Sequence, residues 1–516
     1  MIRSLLTVSS GTLASRLLGF LRDSMMAALL GAGPIADAFL MGFQLVNVVR
    51  RLLTEGALNA ALIPAWLRVR DTEGAVAAAA FAGRVLGTVS AALIAAAALI
   101  GLLMPWVMTA LAPGFVGHPT LQLAVDDARL MLPYLAFAGP VTVMMTVLNA
   151  QGRFALSAFS PILFNIALIG VMIVLLIWRQ DAARAALVLA ATTGISGLLM
   201  ILMLGRGGSL ATPLRISFDR QMRGFLGKAA PGMIASSGPQ WLVIAGAVIA
   251  STSPAAVSWL YFANRLIELP LGIVGVAMGA VLVPELTRAV RSGDRSAVAH
   301  AESRALELAV GLALPATLGL IVLREPIVRM LFEHGAFTAT DTAATAQALM
   351  WLALALPAHV LVKALSPSFF ARDNTFTPLM ATVKGFAVAI ALALVLGHVY
   401  GAAGIAAGIA LGAWSSAVTL IRHGAVDFGF SIDPEAWRRL PRIVAAALAM
   451  GGVLWLTAQI SPLAADAPGI AQAAVLAISI AGGIAIYGLL LAWFGVVSWA
   501  DALGAVRQSA DPDLRV

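Results

Sequence analysis

The feature that most constrains this chain is a succession of apolar runs of about 20 residues, each long enough to cross a bilayer as one helix. Glycine, proline or arginine separates one run from the next. The runs lie at about residues 5–30, 38–66, 84–111, 128–150, 156–178, 184–205, 226–250, 256–286, 306–331, 345–371, 376–397, 401–422, 440–460 and 470–495. Because lipid cannot satisfy backbone polar groups, we predict an all-α polytopic membrane protein with about fourteen transmembrane helices, numbered here as spans 1 to 14.

Composition agrees with this class and excludes several others. Hydrophobic residues make up 60% of the 516 positions and charged residues only 11%, whereas soluble domains carry about 25% charged residues. The chain has no cysteine, which excludes disulfides, thiolate metal sites and cysteine nucleophiles. Its six histidines form no HExxH motif, and no GxSxG or P-loop sequence occurs. We therefore expect no catalytic residues, no metal site and no cofactor.

The basic residues are unevenly distributed between the loops. With fourteen spans, the loops and termini of one set hold seventeen arginines, and Lys228, Arg422 and Arg442 at the adjoining span ends bring the total to twenty. The opposite loops hold only Arg179, with Arg184 at the adjoining span end. Cytoplasmic loops of membrane proteins are enriched in lysine and arginine. We therefore predict that both termini are cytoplasmic. The same rule explains the formal charge of +8 without a nucleic-acid partner.

An internal repeat predicts the domain organisation. Residues Ala57–Arg68 (ALNAALIPAWLR) align with Ala277–Arg288 (AMGAVLVPELTR), and the turn around Arg153 recurs near Arg372. Chance matching of Ala/Leu-rich helices is the alternative. A repeat after six spans predicts two six-helix lobes in parallel pseudo-repeat, related by an axis along the membrane normal. The predicted domains are 1–222 (N-terminal lobe, spans 1–6), 223–425 (C-terminal lobe, spans 7–12) and 426–516 (spans 13–14 and a cytoplasmic tail).

Five arginines fall inside the predicted spans, far from either membrane surface: Arg16, Arg22, Arg50, Arg51 and Arg265. Each arginine at the centre of a membrane helix costs about 2.5–3.5 kcal/mol on insertion scales. These side chains must therefore face water or polar partners. Lys363 and Lys384 also lie within predicted spans, and for these two both snorkelling to the surface and a functional role remain open.

Two interpretations of the arginines differ in their partners. Arg16 and Asp23 are seven residues apart on one helix face, and Arg265 and Glu268 are three apart, so both could form ion pairs. The other three arginines have no equally convenient acid. The second interpretation, which we favour, is a central cationic cavity. Such a cavity would bind an anion, and phosphate fits the guanidinium fork best.

Four sequence stretches resemble the MviN/MurJ family of lipid II flippases, within the multidrug/oligosaccharidyl-lipid/polysaccharide exporter superfamily. They are VSSGTLASRLLGFLRD (Val8–Asp23), GAGPIADAF, NVVRRLLTEGALNAALIP and YFANRLIELPLGIVGVAMGAVLVPEL. The resemblance extends over essentially the whole chain. It implies fourteen helices in two six-helix lobes, and a groove for the lipid tail formed by the final two helices.

The resemblance also implies site residues. Arg16, Arg22, Arg50 and Arg265 match the essential cavity arginines of the family. The same motifs contain further candidate substrate-binding residues, namely Asp23, Arg51, Glu55 and Glu268. This chain departs from the family pattern at Asn264, where an aspartate is frequent, and at Gln44, where a lysine is common. Spans 7 and 11 contain no acid, so we expect no carboxylate-based sodium site there.

The function that we expect is translocation of undecaprenyl-pyrophosphoryl-disaccharide-pentapeptide, lipid II, from the inner to the outer leaflet of the cytoplasmic membrane by alternating access. One alternative is an exporter of another polyprenyl-linked glycan or a multidrug antiporter. A membrane glycosyltransferase is a third possibility, but it would need catalytic groups on sizeable outer loops, and the loops here are short. The expected partners are lipid II and the membrane, with the cell-wall synthesis machinery as a candidate.

Overall fold

A computed structural model describes residues 2–54, 57–205, 215–235, 238–278, 283–292, 294–429, 432–460 and 469–496. Within these residues the regular structure is helical and contains no β-strand. Nine helices of the described chain are long and apolar enough to cross a membrane. The all-α polytopic fold class is therefore confirmed, whereas the count of fourteen spans stays a prediction.

The first part of the chain forms nine α-helices. They are α1 (Ile2–Leu30), α2 (Pro34–Thr54), α3 (Ala57–Glu73), α4 (Ala75–Leu102), α5 (Met104–Leu111), α6 (Pro119–Met131), α7 (Pro133–Ala150), α8 (Phe154–Ile177) and α9 (Ala182–Gly205). The predicted span 38–66 corresponds to α2 and α3, and the span 84–111 to α4 and α5. Pro105 lies in the first turn of α5, where its missing N–H costs nothing, so it begins a new helix rather than continuing α4.

The second part forms ten helices. They are α10 (Arg220–Ala235), α11 (Gly238–Ala250), α12 (Ala256–Ala277), α13 (Val283–Ser292), α14 (Arg295–Val322), α15 (Arg324–Phe332), α16 (Ala339–Phe370), α17 (Phe376–Asp427), α18 (Pro434–Ile460) and α19 (Gly469–Trp493). The predicted span 226–250 corresponds to α10 and α11. Gly401 interrupts α17 with φ 56° and ψ −136°, a conformation that glycine adopts without a Cβ clash. This confirms the predicted break between residues 397 and 401.

The chain divides into two compact units. The first comprises residues 1–261 and 332–341, and the second comprises residues 262–331 and 342–516. The division falls within α12. The predicted lobes 1–222 and 223–425, and the separate 426–516 segment, stay a prediction.

In the first unit, small residues bring helices close together. A Cβ on Gly11 of α1 would lie 3.0 Å from Cβ of Ala158 on α8, and a Cβ on Gly42 of α2 would lie 3.1 Å from Cα of Ala128 on α6. Close backbone approach of this kind is the usual way in which membrane helices gain packing energy, because lipid is as apolar as the side chains. Any larger side chain at Gly11 or Gly42 would push these pairs of helices apart.

In the second unit, α16 and the two halves of α17 share a buried cluster of Leu365, Phe369, Ala381 and Leu420. Ion pairs also join helices here. Arg372 contacts Glu302 of α14 at 3.1 Å, and the carboxylate of Glu302 is almost completely buried. The side chains of α19, in contrast, include exposed large hydrophobic residues, which suits a helix that faces acyl chains.

The helices that carry the intramembrane arginines are less uniformly apolar than a typical transmembrane helix. Charged and polar residues interrupt the apolar sequences of α1, α2 and α12. Polar side chains inside a membrane are costly and are retained at functional positions. These three helices are therefore where a functional site is to be sought.

Candidate functional site

Helix α1 carries two candidate arginines in opposite environments. Arg22 is buried, whereas Arg16, the fifteenth of the 29 residues of α1, is exposed. Six residues correspond to about 600° of rotation, so their side chains leave the helix in different directions. The buried direction faces α8, since Asn165 of α8 donates a hydrogen bond to the carbonyl oxygen of Ser15 at 3.1 Å.

Arg22 is held by two polar side chains. Its Nε and Nη2 atoms donate to Oδ1 of Asp23 at 2.9 and 2.6 Å, and its Nη1 donates to Oδ1 of Asn165 at 3.1 Å. The side chain of Asp23 is completely buried. The prediction that Arg22 lacks a convenient acid was wrong, because the neighbouring carboxylate turns back along the helix to meet the guanidinium group. Asp23 also accepts a hydrogen bond from the Tyr261 hydroxyl at 3.3 Å.

Aromatic rings enclose the same guanidinium group. The Cζ atom of Arg22 lies 5.0 Å from the ring centroid of Phe43 and 5.7 Å from that of Phe164. Tyr134 packs edge-on against Phe164, with centroids 5.5 Å apart. Rings at these distances attract a cation through their quadrupoles. Together with Asp23 and Asn165, they stabilise a charge that would otherwise be costly to bury.

Sequence reasoning missed Asn165 and the three aromatic residues of this cluster. Asn165 could have been found, because it is an amide in the middle of the apolar run FNIALIG, and polar residues at that depth have partners. Phe43, Phe164 and Tyr134 could not, since aromatic residues in membrane helices are common and only the fold brings these three to Arg22.

Arg50 and Arg51 follow on α2, and both are half-buried. Nε of Arg50 approaches Oδ1 of Asn47 at 3.4 Å. Arg50 lies seven residues, about two helical turns, beyond Phe43 on α2. Because Phe43 contacts Arg22, both arginines belong to one region of the first unit. Glu55 lies outside the described residues.

Arg265 and Glu268 belong to the second unit. Nη1 of Arg265 contacts Oε2 of Glu268 at 2.8 Å, and the two side chains are 22% and 32% exposed. The predicted ion pair one turn apart is therefore confirmed. Asn264 is exposed, and Gln44 is half-buried with a carbonyl oxygen that has no hydrogen-bond partner within the described chain.

Arg16 differs from the other arginines. It forms no ion pair and no side-chain hydrogen bond with the residues that the structure describes. The Arg16–Asp23 pair of the first interpretation is not formed, because Asp23 pairs with Arg22 instead. Near the middle of α1, an exposed guanidinium group needs water or an anion to offset its desolvation.

A second polar cluster lies at the start of α2, within the first unit. Oδ1 of Asp37 accepts hydrogen bonds from the backbone N–H and the hydroxyl of Ser258, in the first turn of α12. Asp37 is buried. It satisfies one of the N–H groups that a helix leaves unpaired at its N-terminus. This carboxylate therefore ties the beginning of α2 to the beginning of α12.

Another connection joins the same region. The indole N–H of Trp259 donates to Asp341 at 3.0 Å, and the backbone N–H of Ala336 donates to the carbonyl oxygen of Ala28 at 2.8 Å. Segments from distant parts of the sequence thus meet within the first unit. Among the described residues, no group of three or more histidine, aspartate or glutamate side chains is arranged to hold a metal ion.

Comparisons with known proteins agree with this arrangement. The family model described as Lipid II flippase MurJ matches residues 26–465. The chain is 35% identical over 519 residues to the probable lipid II flippase MurJ of Rhizobium meliloti (strain 1021), covering 99% of this chain and 97% of that protein.

Solved structures show the same fold. A lipid II flippase MurJ in an inward closed conformation superposes with a TM-score of 0.78 at 24% identity, covering 95% of this chain and 98% of the other. An inward-facing multidrug resistance MATE family transporter of the MOP superfamily gives a TM-score of 0.66 at 17% identity, over 83% and 95% of the two chains. From the family match and the sequence identity along nearly its full length, this chain belongs to the MurJ family of lipid II flippases.

Proposed function

We propose that this protein moves lipid II from the inner to the outer leaflet of the cytoplasmic membrane by alternating access. The observation that carries the proposal is the set of arginines on α1, α2 and α12, in a chain that belongs to a flippase family. The substrate carries a pyrophosphate between a polyprenyl tail and a large polar head group. The tail stays in lipid, and only the head group needs a polar path.

Arg16 is the arginine best suited to touch the pyrophosphate. It is exposed near the middle of α1, and the described chain gives it no acid partner. A guanidinium group and a phosphate form two parallel charge-assisted hydrogen bonds. The desolvation cost of about 2.5–3.5 kcal/mol is then offset whenever water or the substrate contacts this side chain.

Arg22 has a different part in the proposal. Three of its N–H donors are already committed to Asp23 and Asn165. Its charge fixes α1 against α8 and adds to the positive potential near Arg50. Arg50 and Arg265 are proposed as further substrate contacts, with Arg51, Glu55 and Glu268 holding them in place.

Both termini are placed in the cytoplasm by the positive-inside rule. The protein is proposed to transport without catalysing a covalent reaction. The cell-wall synthesis machinery is its expected functional partner, since that machinery consumes the translocated lipid.

One alternative has specific support. The likeness in fold to a MATE family transporter favours a multidrug antiporter as the second candidate. The organic cations that such an antiporter transports would be repelled by a surplus of arginine, however, whereas an anionic lipid is attracted by it. Export of another polyprenyl-linked glycan would use the same arginines and differs only in the head group.

The test is complementation in a bacterium whose own flippase can be depleted. Lipid II in the outer leaflet is measured through its cleavage by an externally added lipid II-degrading enzyme. We expect the wild-type chain to restore both growth and cleavage, and Arg16→Ala to restore neither while reaching the membrane at the wild-type level. Arg288→Ala, which removes an exposed arginine elsewhere, is the control and should restore both. Growth without any externally cleavable lipid II would contradict the proposal.

A further inference from the structure

A cationic pocket lies between the two halves of α17, and none of the arginines described above lines it. Its cavity volume is about 410 Å³. The lining residues are Lys384, Ser415, Val418, Thr419, Arg422 and His423. All of them belong to the second unit. Two permanent positive charges and two hydroxyl groups therefore face one cavity, and no acid is among the lining residues.

The two halves of α17 that line the pocket pack closely against each other. The chain reverses at Gly401, and small residues then line the contact. A Cβ on Gly385 would lie 1.8 Å from the hydroxyl oxygen of Ser416, and a Cβ on Gly408 would lie 2.5 Å from the backbone nitrogen of Ala393. Ser416 also donates a hydrogen bond to the carbonyl oxygen of Ala381 at 3.0 Å. Lys384 comes from the first half of α17 and Arg422 from the second half, and both line the same cavity.

The charges of this pocket are not neutralised by the protein. Within the described residues, neither Lys384 nor Arg422 nor His423 forms an ion pair with an acid. Arginine elsewhere in the second unit behaves differently, since Arg372 pairs with Glu302 and Arg439 contacts Glu307 at 3.8 Å. The Thr419 hydroxyl donates to the carbonyl oxygen of Ser415, which leaves the two cations and the Ser415 hydroxyl as donors. Uncompensated cations with an adjacent hydroxyl are a donor set that binds phosphate oxygens.

An apolar surface adjoins the pocket on both halves of α17. Met380, Val383, Val418 and Ile421 are large hydrophobic residues with exposed fractions of 40%, 49%, 39% and 38%. On a membrane helix such side chains contact acyl chains. A ligand with an anionic head and apolar tails would satisfy both the pocket and this surface, whereas a free phosphate would satisfy only the pocket.

We propose that this pocket binds the phosphodiester head group of an anionic membrane phospholipid, whose acyl chains lie along the adjoining surface of α17. Basic pockets between transmembrane helices on the cytoplasmic side bind such head groups. Arg422 is the last residue of the predicted span 401–422, next to a loop that the charge asymmetry assigns to the cytoplasm, so the ligand comes from the inner leaflet. The lining includes none of the arginines proposed to contact the substrate, and the inference does not depend on the proposed function.

The test uses the purified full-length protein in detergent and native mass spectrometry, which counts the bound lipids. Phosphatidylglycerol and phosphatidylcholine are titrated separately. We expect the wild-type protein to retain phosphatidylglycerol in preference. The double variant Lys384→Gln/Arg422→Gln is expected to bind it about tenfold or more weakly, because two charge-assisted contacts are lost. The matched control is Arg220→Gln/Arg223→Gln, which removes the same charge from exposed positions of α10 and should leave lipid retention unchanged.

A second variant guards against misfolding of the first. Ser415→Leu keeps both cations and fills the cavity, and it should also weaken retention of phosphatidylglycerol. Equal retention by the wild type and by both pocket variants would overturn the proposal, as would equal binding of phosphatidylcholine. Displacement of the lipid by millimolar inorganic phosphate would make this a site for free phosphate instead. Displacement by lipid II at equal concentration would assign the pocket to the substrate.

Discussion

Arg22 and Arg16 lie on the same helix, about 9 Å apart along its axis by the helical rise, yet the protein treats them differently. The first is buried against α8, with hydrogen bonds to Asp23 and Asn165 and two aromatic rings beside it. The second is exposed and has no polar partner in the described chain. A buried charge that the protein satisfies acts on structure, whereas an exposed charge at mid-helix is available to a ligand. Arg22 therefore positions α1, whereas Arg16 is available to bind the substrate.

The largest effect is expected at the buried member of the pair. Arg22→Ala should lower the free energy of unfolding by about 3–5 kcal/mol, because the buried carboxylate of Asp23 loses its counter-charge. Thermal unfolding of the purified variant in detergent measures this. The double variant Arg22→Ala/Asp23→Ala should recover part of the stability but none of the flipping activity. If Arg22→Ala were as stable as the wild type, Arg22 would not stabilise the fold and would not differ from Arg16 in this respect.

The exposed member should show loss of activity without loss of stability. We expect Arg16→Ala to abolish complementation while the free energy of unfolding changes by less than about 0.5 kcal/mol, as is usual for exposed positions. Arg16→Lys should restore little activity, because an ammonium group lacks the bidentate fork. Arg50→Ala and Arg265→Ala are likewise expected to abolish complementation. Full activity in three of the four arginine variants would contradict the pyrophosphate-binding account.

A smaller effect is expected at the hydrogen bonds that join Asp37 of α2 to Ser258 of α12. Asp37→Ala removes the acceptor for the N–H and hydroxyl of Ser258, and loss of such a cap costs about 0.5–2 kcal/mol. Hydrogen exchange of the amides in the first turn of α12 should become faster, while exchange in α8 stays unchanged. Unaltered exchange at the start of α12 would show that Asp37 does not hold this helix. The Asp37→Ala variant therefore tests whether a second buried polar group that has its hydrogen-bond partners stabilises the structure, as Arg22 does, without binding the substrate.

The smallest effect is expected outside the membrane, at Asp433 before α18. The backbone N–H of Ala436, and then the side chain of His300, hold the pKa of Asp433 below its usual value of 3.8. The stabilisation is therefore present above about pH 3.8 and is lost as the pH falls through the lowered pKa. Asp433→Ala should cost about 1 kcal/mol at neutral pH, with no effect on flipping. A difference in stability from the wild type that persisted at a pH well below the lowered pKa would show that the carboxylate does not act through its charge.

Much of the fold was predictable because lipid cannot satisfy backbone polar groups, so long apolar runs indicate helices. Apolar runs, the interruption of α17 at Gly401 and the Arg265–Glu268 pair all follow from helix geometry and from local spacing. Boundaries at Pro105 and Pro133 were missed because an apolar run continues across each proline, so hydropathy alone does not register the break.

The site was predictable only in part. The family motifs identify Arg16, Arg22, Arg50 and Arg265, but they do not show which of these the protein itself satisfies. That depends on Asn165, which is 143 positions away from Arg22, and on the direction in which Asp23 turns. Spacing along α1 favoured Arg16 as the partner of Asp23, since seven residues return to the same helix face. The neighbouring Arg22 prevailed because packing against α8 buries it together with the carboxylate.

The central claim is that arginines carry an anionic lipid across the membrane, and its most direct test is transport in vesicles that contain the purified protein and lipid II. Outward movement of each uncompensated negative charge is favoured by about 2.3 kcal/mol per 100 mV when the interior is negative. We expect lipid II to reach the outer leaflet when such a potential is imposed, to stop when an ionophore removes it while a pH gradient remains, and not to move with Arg16→Ala. Equal transport at zero potential, or equal transport by Arg16→Ala, would contradict the account.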